Sequence, residues 1–146
     1  MKYIIGISAF YHESSVTLVT DGVIKEFLKE ESFTRIKGTN TFPKLCLEFL
    51  KNKYSLSSKN IEACVFYEKP LLSWSRMTYF SMKKPFQRWK INSQQFKKIW
   101  NDGLFFENYV KNIFGLDSNK ILFSNHHVSH ALTSIMYEHY NNNHIN

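Results

Sequence analysis

Asp21-Gly22 is the pair that most narrows what this chain can fold into. An Asp-Gly dipeptide between β-type segments favours a two-residue turn with positive φ at both positions, whose twist matches that of the antiparallel strands it joins. Before the pair, Ser15 to Thr20 alternates Val16 and Leu18 with polar residues, and after it Val23 to Glu30 is again β-type. Tyr3 to Ser8 forms a third short β-rich run ahead of both. The N-terminal region therefore predicts strand, loop, strand, turn, strand. The loop between the first two strands, Ala9-Phe10-Tyr11-His12-Glu13-Ser14, is polar and carries a histidine.

Beyond an irregular stretch containing Gly38, Pro43 opens a predicted helix with Leu45, Phe49, Leu50 and Tyr54 on one face, ending near Ser57-Ser58. Ile61 to Tyr67 is a compact apolar run of strand type, bounded by Glu68-Lys69-Pro70. A helical middle is predicted from Leu71 to Phe114, broken at Pro85 and Gly103. Lys120 to Ser124 predicts a short buried strand, and His126 to Tyr140 a helix whose core face holds Val128, Leu132, Ile135 and Met136. The tail Asn141 to Asn146 is polar and expected to fray, and no internal repeat is visible. With 146 residues and 43% apolar content, residues 1–146 read as a single domain able to bury roughly two-thirds of its unfolded surface.

The net charge of +7 is unevenly placed. Between Lys69 and Asn101 lie eight of the 19 Lys and Arg residues and no acid, so the rest of the chain has eleven bases against twelve acids. Trp74, Phe80, Phe86, Trp89, Phe96 and Trp100 fall in the same stretch, which raises a nucleic-acid-binding module as an alternative. The spacing of Phe86, Trp89, Phe96 and Trp100 is equally that of a core-facing helix with a solvated basic side, so nucleic acid stays the minor alternative. Cys46 and Cys64, the only cysteines, sit in apolar surroundings without zinc-site spacing and are expected to be buried reduced thiols. The apolar run at the N-terminus is too short for a signal peptide and no apolar stretch approaches the ~18 residues a membrane span needs, so a soluble, cytoplasmic protein without a membrane partner is expected.

Chemistry concentrates in Asn125-His126-His127-Val128-Ser129-His130-Ala131, between a predicted strand and a predicted helix. His126 and His130 are four apart, so both imidazoles leave the same helical face and can converge on one metal ion. His127 is turned by about 100° and points elsewhere, toward a substrate on this reading. Two imidazoles leave a coordination sphere incomplete, and no acid in the chain stands in an obvious partner motif. Capping and local packing of the helix start is the alternative role for these histidines.

The element order β-β-β-α-β-α-β-α resembles one ribonuclease H-like half of the acetate kinase, sugar kinase, Hsp70 and actin superfold, an α/β fold with a mixed sheet. The segments Gly-Ile-Ser-Ala-Phe-Tyr-His-Glu-Ser (6 to 14), Asp21-Gly22, Glu30-Glu31-Ser32-Phe33-Thr34-Arg35, Phe42-Pro43, Val65-Phe66-Tyr67-Glu68-Lys69-Pro70-Leu71-Leu72 and His126-His127-Val128-Ser129-His130-Ala131 follow one another in that order. Together they resemble the N-terminal region of the NodU/CmcH-type carbamoyltransferases over nearly the whole chain, most weakly between Met77 and Asn119.

This resemblance implies a transferase that makes a carbamoyl-adenylate from carbamoyl phosphate and ATP and passes the carbamoyl group to a hydroxyl of a small molecule. It implies a divalent metal, iron above other transition metals, held by His126 and His130 with aspartates from a second half of the domain. His127 and His12 become candidate catalytic contacts to phosphate or carbamoyl oxygen, and Ser8 belongs to the loop that faces nucleotide phosphates in this superfold. Arg35 and Lys37 are of the right type to hold carbamoyl phosphate. Ser32 stands where the family usually has arginine, and Glu13 and Glu68 where aspartate is commoner. The family also continues with an Asp-Gly strand, a second half and a C-terminal domain, so the expectation is a piece inactive alone, a remnant, or one subunit of a split enzyme completed by a second chain.

Overall fold

A computed structural model describes residues 1–10, 12–83 and 105–132. Five strands form one mixed sheet: β1 (Tyr3–Ser8), β2 (Ser15–Thr20), β3 (Val23–Lys29), β4 (Ile61–Phe66) and β5 (Ile121–Phe123), in the spatial order β3-β2-β1-β4-β5. β1 pairs antiparallel with β2 and parallel with β4, and β4 pairs parallel with β5. The Asp21-Gly22 expectation is met: φ is 51° at Asp21 and 75° at Gly22, and Thr20 pairs with Val23 across the two-residue turn. One step further the ladder slips between Leu18 and Val19, whose partners are Glu26 and Ile24, so Lys25 is the extra residue of a bulge on the edge strand.

Helices α1 (Glu31–Thr34) and α2 (Lys44–Tyr54) follow β3, α3 (Pro70–Lys83) follows β4, and α4 (Phe106–Phe114) precedes a 3₁₀ turn at Ser118–Lys120. Residues 126–132 form the start of α5. Proline at the first position of α3 costs nothing there, because that N–H has no partner within the helix. The four-residue α1 is absent from the predicted order, being too short to carry a helical period.

The core lies between one face of the sheet and helices α2 and α4. Ile5, Ile7, Val16, Leu18, Cys64 and Phe66 point to it from the strands, and Leu47, Leu50, Phe106 and Val110 from the helices. Phe66 and Phe106, both fully buried, stack with centroids 4.3 Å apart. Lys51 Nζ donates to the carbonyl of Ile113 at 2.5 Å and joins α2 to α4. Lys120 Nζ donates to the carbonyls of Ser58 and Ile61 at 2.6 and 2.9 Å, fixing the start of β5 beside the start of β4.

Three expectations are corrected. The buried stripe of α2 is Cys46, Leu47 and Leu50, whereas Leu45 and Phe49 are each 40% exposed. Phe49 packs instead against Phe33 of α1 at 5.5 Å, so the face turns by about one position toward Cys46. This helix also ends at Tyr54, where Ser55 adopts the left-handed conformation, short of Ser57-Ser58. Val128 and Leu132 are half exposed rather than core residues. The sheet faces the core with its other side, and Leu132 borders a hollow on the open face. Ile135, Met136, the tail expected to fray and most of the basic aromatic stretch lie outside the described residues. Cys46 and Cys64 are free and buried as expected, and no helix of the described residues is long and apolar enough to cross a membrane.

Candidate functional site

Three parallel strands end at the same edge of the sheet, and each hands the chain to a segment bearing a chemically active side chain. β1 leads into the His12 loop, β4 into Tyr67-Glu68, and β5 into His126 and His130. Ligand sites of open α/β sheets gather at the carboxyl ends of strands for this reason.

The His12 loop is held from two sides. Phe10, with φ of 71°, donates its N–H to Asn40 at 2.7 Å, and Ser14 donates its N–H to Thr39 at 2.8 Å and its hydroxyl to Thr41. Ser8 Oγ donates to the carbonyl of Glu13 at 3.3 Å across the base of the loop. Lys29 from β3 reaches Glu13 at 2.9 Å, and this carboxylate holds the lysine pKa above its ordinary value.

At the far end of the chain, Ser124 N–H donates to Phe66 C=O at 2.8 Å and extends the β4–β5 ladder past the strand. Asn125 C=O then accepts Ser129 N–H at 2.9 Å, closing the first turn of α5, and the hydroxyls of Ser129 and Ser124 meet at 3.0 Å. This places His126 and His130 on one face with their Nε2 atoms 3.1 Å apart.

His12, 114 residues before His126 by their numbers, joins this pair. One ring nitrogen from each of His12, His126 and His130 lies within 4.8 Å of the others. Two nitrogens bound at ~2.05 Å to one ion stand ~2.9 Å apart at a right angle and ~3.3 Å apart at the tetrahedral angle. The 3.1 Å between His126 and His130 falls inside that interval, so their spacing is compatible with a shared cation, as it is with a hydrogen bond between the two imidazoles. The bound of 4.8 Å on the trio compares with the ~4.1 Å span of two ligands on opposite sides of one ion, which places His12 beside the pair. His127 is exposed, meets His126 edge-on at 5.7 Å, and stands outside the trio.

Two residues of the segment Val65 to Leu72, neither of them predicted to have a role in the site, complete the surroundings. Tyr67 lies between the two halves of the site, its ring 5.5 Å from His12 and 5.4 Å from His126, while its hydroxyl donates to Ala9 C=O at 3.1 Å. Glu68, only 8% exposed, brings Oε2 to 2.9 Å from His126 Nδ1. The contact is close but bent, and Nδ1 is fully buried without an aligned hydrogen bond. A buried carboxylate just past a strand end, in Glu68-Lys69-Pro70, was the available signal.

Ser8 borders a hollow of about 340 Å³ on the open face of the sheet, lined also by Gly6, Ser15, Thr17, Tyr67, Ser124 and Ser129. Serine and threonine hydroxyls share this wall with the apolar Ile7, Val65 and Leu132, and Tyr67 borders both the hollow and the histidines. A larger hollow of about 590 Å³ lies near Lys69, Leu72, Glu107 and Phe123, and among its described lining residues are none of His12, His126 and His130. Arg35 and Lys37 are exposed, and Arg35 is the left-handed cap of α1. They stand in the loop that continues to Thr39 and Asn40, and so to the backbone partners of the His12 loop, without joining the histidine trio.

A mixed α/β sheet with a histidine cluster at its strand ends defines the class of this molecule. Residues 3–140 match the family described as carbamoyltransferase N-terminus, and the chain belongs to that family. It is also 33% identical over 144 residues to sll1178 of Synechocystis sp., an uncharacterized protein. That match takes in 92% of this chain and 23% of the relative, so the chain spans under a quarter of the relative's length.

Proposed function

We propose that these residues form the part of a carbamoyltransferase that holds a metal and the phosphate-bearing substrates, with carbamoyl phosphate and ATP giving a carbamoyl-adenylate whose carbamoyl group passes to a small-molecule hydroxyl. The observation that carries this reading is the meeting of His12, His126 and His130 at the strand ends beside a hollow that bears serine and threonine hydroxyls. His126 and His130 would hold the divalent cation, iron before other transition metals, which when bound supplies Lewis-acid polarisation of a carbamoyl or phosphate oxygen. Ser8, on exchanging its long bond to Glu13, and the hydroxyls across the hollow would donate to phosphate oxygens, while His12 would face the reacting group. Arg35 and Lys37 would draw the anion toward this edge.

The wider assignments belong to the same proposal. Three consecutive antiparallel strands followed by two parallel additions through helical connections support the ribonuclease H-like half of the superfold. The open hollow, and a set of imidazoles without coordinating carboxylates among the described residues, support a chain that needs further residues or a second chain for turnover. Metal analysis of protein purified without a His-tag tests the reading, with bound metal expected in the wild type and lost in His126→Ala. Wild-type protein free of metal after iron or zinc supplementation would overturn it. Turnover of carbamoyl phosphate or ATP by the chain alone, above a His130→Ala control, would overturn its dependence on further residues.

A further inference from the structure

We infer that Glu68 is a positioning residue, which fixes the ring and the tautomer of His126 so that Nε2 presents its lone pair to the site. The inference rests on the proposed metal reading and adds a residue to it. A neutral imidazole carries its proton on one nitrogen and offers a lone pair on the other. His126 Nδ1 is buried against Glu68 Oε2 at 2.9 Å, and a lone pair facing a carboxylate there would be repelled. The proton therefore belongs on Nδ1. That leaves the lone pair on Nε2, the atom that stands 3.1 Å from His130 Nε2.

Glu68 is itself held in place. Its Oε1 accepts the backbone N–H of Lys69 at 3.2 Å, and the residue stands two positions past the end of β4, where Phe66 pairs with Phe123 of β5 and accepts the N–H of Ser124 just beyond it. A carboxylate behind a ligating imidazole orients the ring and raises its basicity, and removing such a partner costs about 10- to 100-fold in metal affinity. Even where the approach is bent, charge at this distance in a buried position still discriminates between tautomers.

The test has two readouts on the 146-residue chain. Titration with Zn²⁺ against a competing chelator should show Glu68→Gln and Glu68→Ala weakened about 10- to 100-fold, Glu68→Asp closer to wild type, and the exposed control Glu62→Gln, at the opposite end of β4, unchanged. Nitrogen-15 NMR of the metal-free imidazoles, at a pH where they are neutral, should show His126 protonated on Nδ1 in the wild type, with the population moving toward Nε2–H in Glu68→Gln. Wild-type protein with its proton on Nε2 overturns the inference without any variant. Equal Zn²⁺ affinity and an unmoved tautomer in a folded Glu68→Gln protein overturn it as well. A wild type that takes no Zn²⁺ defeats the metal reading, while the tautomer still decides the role of Glu68.

Discussion

The Glu30 carboxylate accepts the backbone N–H of Cys46 at 2.9 Å through one oxygen, and that of Leu45 at 3.0 Å through the other. A buried acid at the end of β3 thus caps the first turn of α2, where no capping residue of the usual kind stands next to the helix. The same residue donates its N–H to Ser14 and accepts Phe33 and Thr34, so it also fixes α1 and the base of the His12 loop. Glu30→Ala should cost about 2 to 3 kcal/mol, and Glu30→Gln, which keeps one acceptor, roughly half of that, both read from the urea midpoint at constant slope.

Neither cysteine should react in the folded protein. Burial pushes the Cys64 thiol up to about 12, and burial together with the nearby Glu30 carboxylate drives Cys46 higher still. A thiol reagent that requires thiolate should find no cysteine near neutral pH, and both after guanidinium is added. Fast labelling without denaturant would contradict the placement of Cys46 and Cys64 in the core.

Acid should weaken the fold through two carboxylates. Hydrogen bonds from Lys53 and Tyr54 hold Glu26 below its ordinary value of 4.5, and those from Lys111 and Ser118 do the same for Glu107. A depressed folded-state pKa adds stability that is present above the unfolded value and lost as pH falls through the folded one. Thermal midpoints should accordingly decline below about pH 4.5, and Glu26→Gln should flatten that decline. Both pairs are accessible to solvent, so added salt should shrink the effect.

The two ends of the histidine cluster should separate under substitution. On the proposed metal reading, His126→Ala and His130→Ala should each reduce metal affinity by more than about 100-fold, since loss of a direct ligand outweighs the ~10- to 100-fold of an outer partner. His127→Ala, altering an exposed ring outside the trio, should leave affinity within about threefold. Calorimetric titration with Co²⁺ or Zn²⁺ checks this ranking, and an effect of His127→Ala equal to that of His130→Ala would contradict it.

What could be read from the sequence was local. Asp21-Gly22 and the i, i+4 histidine pair are short-range patterns, and the hairpin and the paired Nε2 atoms follow from them. The face of α2 was misjudged because Phe49, the largest apolar residue of that helix, is held by Phe33 outside the core, while small Cys46 fills the buried position. His12 as the third member of the cluster, Tyr67 between the halves, and Glu68 behind His126 depend on which strands lie side by side. Hydrophobic alternation does not encode that neighbourhood, so these three emerged only with the order β3-β2-β1-β4-β5.

β5, only three residues long, is the edge strand that carries His126 and His130 to His12. Short edge strands open at low free-energy cost, before the rest of a sheet. Each such opening would carry two histidines away from the third and from Glu68 together. Anything that bridges the cluster therefore acts as a clasp on the sheet. By linkage, the free energy with which it slows hydrogen exchange along Ile121–Phe123 equals that by which an ordered edge tightens its grip.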